Sequence, residues 1–350
     1  MSRPLLNALH LNSGQRSGLI GAALLSAILV LIGLMVMWFG ERYHLRIVYS
    51  AYVNLLVVLG LQVFMGNAKI TNLSHSAFMG IGAYAAAICV TPVQIKAMSL
   101  PNAPWGLNAF QLDPITSAAI TIVVTGLIAL VVGLLIVRLS GIGATIVTLA
   151  LLVIVHSIFL HRTDIFKGKQ AFFGIPKIFD LTSILIVTVI VIFVARLFRE
   201  SRWGIRLRAS SDDEVGARAM GVDVFRLRLV AWVLGAVILA VAGICYAYFL
   251  GTISARPFYF THVFLTLAML ILGGMRTVTG AVLGTILISF GLEGVRWIET
   301  GPDFGPVDLP ELLGLSGIAL GVVIVATMAL RPGGIMGNRE IEMLFARRRD

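Results

Sequence analysis

Charged residues are scarce in this sequence of 350 residues. Aspartate, glutamate, lysine and arginine make up 13% of the chain, and hydrophobic residues make up 58%. A soluble domain has about 25% charged and about 45–50% apolar residues, so this composition, with a mean hydropathy of +0.96, excludes an ordinary soluble protein. The formal net charge is +10. In a membrane protein an excess of basic residues reflects loop orientation, so we expect contact with membrane lipid and not with nucleic acid.

Cysteines and catalytic motifs are also few. Cys89 and Cys245 both lie in apolar stretches, which indicates thiols in the protein core and not a disulfide or a metal pair. The sequence lacks the His-Glu-x-x-His zinc motif, the Gly-x-Ser-x-Gly nucleophile elbow and the glycine-rich phosphate loop of nucleotide hydrolases. We therefore expect no catalytic residue, metal site or cofactor in this chain, and no nucleotide hydrolysis by it.

Ten apolar segments approach or reach the length of about 20 residues that a helix needs to cross a bilayer. They predict an all-α polytopic membrane protein in which some spans are short or broken by glycine. The predicted spans are 18–39, 47–65, 73–90, 115–138, 143–160, 183–198, 229–250, 260–272, 277–292 and 312–330.

The distribution of arginine predicts which chain ends are cytoplasmic. Arg3 and Arg16 precede the first span without an acidic residue, which places the N-terminus inside and favours a retained span over a cleaved signal. Ten spans return the C-terminus, which is also rich in arginine, to the same side. The chain is thereby divided into a cytoplasmic N-terminal segment (1–17), a transmembrane domain (18–330) and a basic cytoplasmic tail (331–350).

Two predicted outer loops differ in charge. The loop at 161–181 carries four basic and two acidic residues, whereas the region 293–311 carries five acidic residues and one basic residue. Both loops suit a solvated surface, and surfaces of opposite sign would also suit the docking of a soluble protein.

A charged segment at 199–228 lies between the sixth and seventh predicted spans. Its three consecutive acidic residues are expected in the first turn of a short helix, where the helix dipole favours negative charge. Small residues follow them and would let another protein approach closely, so we expect a contact surface for a soluble motor protein. The residues predicted for this contact are Asp212, Asp213, Glu214, Ala217, Ala219 and Gly221.

The segment 66–84 has a polar beginning, followed by a helix with small residues at Gly80 and Gly82. A broken span of this kind is typical of a translocation path, because its helix start offers N–H groups and side-chain donors to a solute. The alternative is an ordinary helix start that Ser74 or Asn72 caps, with His75 at the headgroup interface. The polar residues assigned to the path are Asn72, Ser74, His75 and Ser76.

A second break, around Gly273, Gly274 and Gly280, permits either a tight hairpin or close helix packing, and we favour the hairpin. His156 lies within the fifth predicted span. There we favour a neutral histidine bonded to a neighbouring helix over a proton relay.

These segments resemble, in their order, a known family of membrane proteins. The strings Gly66 to Tyr84, Leu207 to Trp232, 273–280 and 331–337 are similar to those of the branched-chain amino acid permeases of ABC importers, specifically the LivM-type subunit. The resemblance covers about 43–337. Residues of the charged segment match that family's coupling segment at Asp213, Glu214, Ala217, Ala219, Met220 and Gly221.

The resemblance implies a permease in the bacterial cytoplasmic (inner) membrane that imports branched-chain amino acids. It also implies a homologous second permease subunit of the LivH type, two ATP-binding subunits that bind and hydrolyse ATP, and a periplasmic or other extracytoplasmic substrate-binding protein. The tight association of such subunits would place 199–228 against an ATP-binding subunit.

The chain departs from the family pattern at two places. Relatives usually read Gly-Gln-Leu-Ser-Leu-Gly before the histidine, where this chain has Lys69-Ile-Thr-Asn-Leu-Ser74, and relatives often have glycine at the position of Arg276. These departures leave a urea or short-amide permease open.

Two further function classes are alternatives. A secondary transporter driven by an ion gradient would use His75, His156 and Glu293 as titrating groups. Such a carrier has no need of a small-surfaced cytoplasmic helix, so the charged segment counts against it. A membrane scaffold without transport is disfavoured by the spans that glycine breaks.

Overall fold

The computed structural model of the chain describes residues 13–101, 103–300, 314–331 and 333–346. These residues are mainly helical, and the predicted all-α class is confirmed. Two strands of two residues each, β1 (Phe172–Phe173) and β2 (Thr252–Ile253), pair antiparallel. Several residues used above lie outside the described ranges: Arg3, the acidic residues at 303, 308 and 311, the first two residues of the tenth predicted span, and the arginines at 347–349.

The helices follow one another with short connections. They are α1 (Ser13–Phe39), α2 (Arg42–Leu61), α3 (His75–Val90), α4 (Val93–Ser99), α5 (Pro114–Ile136), α6 (Gly141–His161), α7 (Thr163–Phe166), α8 (Leu181–Glu200), α9 (Arg202–Asp212), α10 (Glu214–Ala219), α11 (Val224–Leu250), α12 (Phe260–Gly273), α13 (Val278–Glu299), α14 (Leu315–Leu330) and α15 (Ile341–Ala346). A π-helical turn, Gln62–Gly66, extends α2.

Seven helices of the described chain are long and apolar enough to cross a membrane: α1, α2 with its π-helical extension, α5, α6, α8, α11 and α13. The helices α3 and α4 meet at an angle of 119° and together form an eighth candidate, which is either a broken span or a re-entrant loop. The shorter apolar helices α12 and α14 correspond to the eighth and tenth predicted segments. All ten predicted segments are therefore helical over most of their length, and the polytopic membrane fold is confirmed.

Pro92 and Lys96 account for the break between α3 and α4. Pro92 has no N–H with which to continue α3. Lys96 is fully buried, and its ammonium donates to the carbonyls of Ile88 (3.0 Å) and Leu107 (3.0 Å) and to that of Phe110. One of these carbonyls belongs to the last turn of α3, where no further helical N–H is available.

The helix α11 is the centre of the bundle and packs most extensively against α3, and also against α2 and α5. Small residues allow this close approach. A Cβ at Gly82 would lie 2.6 Å from the Cα and O atoms of Ala240, and one at Gly243 would lie 2.1 Å from the Met79 carbonyl oxygen. Cys245 in this core and Cys89 are both free thiols.

The break between α12 and α13 combines the two geometries that the sequence left open. Gly274 adopts φ +119° and ends α12 in a turn. A Cβ at Gly273 would lie 1.8 Å from the carbonyl oxygen of Gly280. The segment is therefore both a tight connection and a site of close backbone packing.

The charged segment, the start of α1 and the described part of the tail lie at the same end of the bundle, which we call the basal end. The Arg196 guanidinium at the end of α8 donates to the carbonyl of Gly18 (3.3 Å) and pairs with Glu340 (2.7 Å) and Glu342 of the tail. The opposite end is called the distal end. The start of α1 and the tail therefore lie at the same end, as an even number of spans requires. Which end faces the cytoplasm stays a prediction.

Candidate functional site

The segment 199–228 forms two short helices, α9 and α10, at the basal end. Asp213 is extended, with φ −144° and ψ 98°, and its carboxylate caps α10 by accepting a hydrogen bond from the Gly216 N–H (2.9 Å). This residue therefore separates two helices where the sequence analysis expected one. The placement of Asp212 in the first turn of the short helix is wrong, because Asp212 is the last residue of α9.

Asp212 joins two segments that are far apart in the sequence. Its Oδ1 atom accepts hydrogen bonds from the Lys69 ammonium (2.5 Å) and from the Arg276 guanidinium (3.1 Å). The hydrogen bond from Lys69 and the charge of Arg276 hold the pKa of the Asp212 carboxyl below its ordinary value. Two of the residues that depart from the family pattern, Lys69 and Arg276, thus meet at one carboxylate, and we call this contact the Asp212 bridge.

Lys69 also has an unusual backbone conformation. Its φ is +55°, a left-handed value that glycine adopts without strain and that other L-residues adopt at a cost. The side chain is 44% exposed and points to Asp212, so the ammonium lies at the basal surface and not among the buried residues that follow it. A second tie is nearby, where the Arg208 guanidinium donates to Asn67 Oδ1 (3.2 Å) and to the Arg199 carbonyl (2.6 Å).

Glu214 holds α10 against α11. Its carboxylate accepts from Arg218 (2.6 Å) in the same helix and from Arg228 (2.7 Å) in α11. Burial alone would raise the pKa of Glu214, but its hydrogen bonds and charge pairing with Arg228 and Arg218 lower it. Glu214 is therefore ionised at neutral pH and fixes the orientation of this short helix.

The exposed surface around α10 is more apolar than the sequence analysis recognised. Val215 is 80% exposed and Met220 is 84% exposed. Gly221 follows with φ +78°, and a Cβ there would meet nothing within 4 Å. Ala219 is exposed and Ala217 is half-buried. Val215 and Met220 add two exposed apolar side chains to the surface predicted for the motor contact, and the pattern of small residues did not indicate them.

The four residues assigned to the path lie together and are buried. Asn72 is 4% exposed, and Ser74, His75 and Ser76 are fully buried. The expected cap is absent, since the Ser74 hydroxyl makes no cap hydrogen bond to α3. It donates to Asn72 Oδ1 (2.7 Å), which also accepts from the Ser74 N–H (2.9 Å). His75 is also no headgroup residue, because it lies within the bundle.

The two ring nitrogens of His75 contact different partners. Nδ1 lies 3.1 Å from the Asn72 carbonyl oxygen, and Nε2 lies 2.7 Å from the Thr266 hydroxyl. A carbonyl oxygen only accepts, so in the neutral ring Nδ1 carries the proton and Nε2 is the acceptor. The single proton of the Thr266 hydroxyl is then shared between Nε2 and the His262 carbonyl oxygen, which lies 2.8 Å away. The imidazole thereby joins the start of α3 to the middle of α12.

A second histidine, which the sequence analysis did not select, continues this arrangement. His262 Nδ1 lies 2.9 Å from the Ser76 hydroxyl, and His262 Nε2 lies 3.3 Å from Asn54 Oδ1 in α2. An unpaired polar group in a membrane interior costs several kcal/mol. The hydrogen bonds among these residues avoid that cost and connect α2, α3 and α12. We call these six residues the buried polar network, in which Asn72 takes part through its main-chain carbonyl and Asn54 and His262 are half-buried; they are Asn54, Asn72, His75, Ser76, His262 and Thr266.

A cavity of about 660 Å³ opens at the distal end between α2, α12 and α13. Asn54 of the buried polar network is one of its lining residues. Charged residues also line it, among them Arg46, Glu293 and Arg296. The predicted ninth span ended at residue 292, whereas α13 continues to Glu299, and this extra length places Glu293 and Arg296 on the cavity wall.

A buried ionic cluster closes the basal end near α13. The Glu340 carboxylate is fully buried. It accepts from the N–H groups of Val278 and Thr279 at 3.1 Å each and pairs with Arg196 (2.7 Å) and Arg199 (3.2 Å). The first turn of a helix favours an anion, and removal of one partner from such a buried pair is costly. The tail is therefore an integral part of the fold.

His156 has a different environment from the one expected. Its ring stacks on Tyr259, with centroids 4.0 Å apart. Nδ1 is shielded from solvent and has no hydrogen-bond partner among the described residues, so the expected hydrogen bond to a neighbouring helix is absent at this atom. The stacking contact holds the ring at the distal end of α6. Neither a neutral histidine bonded to a neighbouring helix nor a proton relay predicts this contact.

Comparisons with known proteins give a consistent result. A family model described as "Branched-chain amino acid transport system / permease component" matches residues 43–328. The permease protein LivM of a high-affinity branched-chain amino acid transport system is 24% identical in Salmonella typhimurium (85% of this chain, 70% of that protein) and 26% identical in Escherichia coli K12 (79% and 66%).

The permease protein BraD of a system with the same description in Pseudomonas aeruginosa is 24% identical, over 82% of this chain and 92% of that protein. No solved structure matches the chain.

Proposed function

This chain belongs to the family of permease components of branched-chain amino acid transport systems, and from that premise we propose that it is the membrane-spanning subunit of an ATP-driven importer of branched-chain amino acids. It is a multi-pass membrane protein and a transport subunit. The names of its relatives favour branched-chain amino acids over urea or short amides. Family membership likewise counts against a carrier driven by an ion gradient and against a scaffold.

The proposed partners are a homologous second permease subunit, two ATP-binding subunits and an extracytoplasmic substrate-binding protein. The proposed location is the bacterial cytoplasmic membrane, with the basal end in the cytoplasm. The arginine-rich segment 199–228 at the basal end supports that orientation. ATP would be bound and hydrolysed by the partner subunits.

One observation carries the coupling part of this proposal: Asp212 ties α9 to two backbone breaks at once. Its partners Lys69 and Arg276 lie at the breaks before α3 and before α13. A motor subunit that moves α9 and α10 would therefore displace both breaks together. Movement of the break before α3 would reach His75, which is the first residue of that helix.

The motor contact is tested with a matched pair of substitutions. Met220 beside α10 and Met98 in α4 are both 84% exposed, and they lie at opposite ends of the bundle. Met220→Glu should reduce co-purification of the ATP-binding subunits, because a charge would be buried without a partner in an apolar contact. Met98→Glu should leave this association unchanged. Equal recovery of the ATP-binding subunits with both variants would contradict the assignment of α10.

The buried polar network is proposed to form part of the translocation route. Its paired donors and acceptors could exchange their partners for the polar groups of a solute, which offsets the cost of removing the solute from water. A capped helix start would involve α3 alone, whereas the network extends over α2, α3 and α12, and this extent favours the translocation route.

Histidine substitutions test the route. His75→Leu should slow uptake by the reconstituted transporter while subunit assembly and basal ATP hydrolysis persist, and His75→Gln should retain more transport because it keeps one donor and one acceptor. His156→Leu is the control, since that ring lies outside the network. Wild-type uptake by an assembled His75→Leu transporter would remove the network from the route.

A further inference from the structure

The distal cavity contains charges of both signs. Arg46 of α2 contributes a guanidinium, and Glu293 and Arg296 of α13 contribute a carboxylate and a second guanidinium. An α-amino acid in solution carries a carboxylate and an ammonium on the same carbon atom. A site for such a zwitterion needs a cation and an anion in one cavity, and the α2 and α13 walls of this cavity supply both.

The guanidinium of Arg46 is available to a ligand. Among the described residues, no carboxylate or carbonyl pairs with it. Arg162 at the same end of the bundle differs, because it is held by Asp164 at 2.9 Å. A guanidinium with free donors binds a carboxylate in a bidentate manner, so Arg46 is the natural partner for the carboxylate of the ligand.

Glu293 is placed to receive an ammonium. Its side chain is 21% exposed, and its carboxylate accepts from the Tyr43 hydroxyl and lies 3.4 Å from Arg296. The contact with Arg296 is long for a charged hydrogen bond, and each carboxylate oxygen can accept more than one donor. Glu293 therefore retains acceptor capacity toward the cavity.

The remaining wall suits a branched aliphatic side chain. Leu265 and Met269 of α12 and Ile47 of α2 are among the lining residues. The Ser289 hydroxyl oxygen is also shielded from solvent, without a hydrogen-bond partner in the described part of the chain. The volume of about 660 Å³ lies within the range of about 300–1,000 Å³ that is typical of small-molecule sites.

We propose that the distal cavity is an entry site for an aliphatic α-amino acid, in which Arg46 binds the carboxylate and Glu293, oriented by Tyr43, binds the ammonium. This inference rests on the proposed transport function and adds the residues that recognise the solute before it reaches the buried polar network. Asn54 connects the two, since it lines the cavity and contacts His262 at 3.3 Å.

The test uses the transporter assembled with its partner subunits in nanodiscs, without the substrate-binding protein. Three probes are titrated by ligand-observed NMR: L-leucine, leucinamide, which has no carboxylate, and 4-methylpentanoate, which has no ammonium. The wild-type transporter should bind L-leucine in preference to both analogues. Arg46→Gln and Glu293→Gln should each weaken the binding of L-leucine about tenfold or more, because each removes a charge-assisted interaction.

The analogues separate recognition from general damage. Arg46→Gln should abolish the preference for L-leucine over leucinamide and keep the preference over 4-methylpentanoate, whereas Glu293→Gln should do the reverse. Arg162→Gln is the control and should bind all three probes as the wild type does. Arg46→Lys should recover part of the affinity, because it restores the positive charge without the bidentate geometry.

The outcomes distinguish this inference from the proposed function. If the wild type transports L-leucine but Arg46→Gln and Glu293→Gln bind all three probes as the wild type does, the entry site is refuted and the function stands. A uniform loss of affinity without a change in preference would also refute direct contact by these residues. Absence of amino acid transport by the wild-type complex would instead refute the proposed function.

Discussion

The Asp212 bridge allows a sharp prediction, because the same small free energy has little effect on stability and a large effect on coupling. We consider Asp212→Asn, which keeps the shape of the side chain and removes its charge. The Asp212 side chain is 57% exposed, and its partners Lys69 and Arg276 are 44% and 33% exposed. Exposed ion pairs contribute about 0.2–1 kcal/mol each, so the substitution should lower the free energy of unfolding by about 2 kcal/mol at most.

The same free energy has a larger effect on coupling. A loss of about 0.4–2 kcal/mol from the two pairs has a defined effect on the population of molecules in which Asp212 holds α9 to Lys69 and Arg276. The ratio of these molecules to those in which α9 is released changes about 2- to 30-fold. We therefore expect Asp212→Asn to lower the amount of solute imported per ATP hydrolysed several-fold, while assembly and basal ATP hydrolysis stay near normal. The measurement is paired transport and ATP hydrolysis in proteoliposomes that contain the complete transporter.

Asp223→Asn is the matched control for this prediction. Asp223 lies in the same segment, pairs with Arg226 at 2.8 Å and caps α11 through the Arg226 N–H. Asparagine caps a helix about as well as aspartate, so this variant should couple normally. High salt should lower the amount of solute that the wild type imports per ATP hydrolysed toward the value of the Asp212→Asn variant, since exposed charges are screened. An unchanged transport ratio in Asp212→Asn would refute the linkage.

Acid should affect the bridge in a defined direction. The pKa of Asp212 is lowered from 3.8 by Lys69 and Arg276, so its stabilising contribution is fully present above that ordinary value. It is lost as pH falls through the lower pKa of the folded state. Coupling through Asp212 should accordingly not change between pH 6 and 8, in contrast to a linkage that depended on an exposed histidine.

Three further pairs of substitutions test a backbone conformation, a helix contact and the topology. Lys69→Gly should be about 1 kcal/mol more stable than Lys69→Ala in thermal unfolding, because both lose the ion pair and only glycine accepts a φ of +55° without strain; equal melting temperatures would contradict this. Gly82→Leu should prevent normal assembly, because its Cβ would lie 2.6 Å from the α11 backbone, whereas Gly143→Leu, with nothing within 4 Å, should assemble normally. In a chain whose two cysteines are replaced by serine, Ala209→Cys should resist a membrane-impermeant thiol reagent applied to intact cells, and Lys169→Cys should react with it; the reverse pattern would invert the predicted topology.

The sequence predicted the membrane spans because a bilayer imposes a simple length rule on apolar segments. Every predicted segment is helical over most of its length. It predicted boundaries less well. The ninth predicted segment ends at residue 292, just before its first acidic residue, Glu293, but α13 continues to Glu299. A helix can carry charged residues into a polar cavity or to the interface, and hydropathy alone does not separate that case from a loop.

Contacts over long distances in sequence were not predictable from local patterns. The polar start of α3 was recognised, but its partners His262 and Thr266 lie 186 and 191 residues away from the residues they contact. Lys69 and Arg276 were noted as departures from the family pattern, but their meeting at Asp212 requires the tertiary fold and was not predicted. One local signal was available: Asp213 three residues before Gly216 fits a helix cap, and it would have separated α9 from α10.

The three polar features together explain how a motor at one end could act on a solute at the other. The distal cavity reaches Asn54, the buried polar network leads from Asn54 through His262 and Ser76 to the start of α3, and the break before α3 ends at the Asp212 bridge. The hydrogen bonds of His75, Ser76, His262 and Thr266 resist partial opening of the network, since each broken pair in the membrane interior costs free energy. Such a connection favours two discrete arrangements over a gradual deformation. The weak exposed pairs of the Asp212 bridge are then the first contacts that a movement of α9 would break, and they are weak enough for the proposed ATP-binding subunits to break in every cycle.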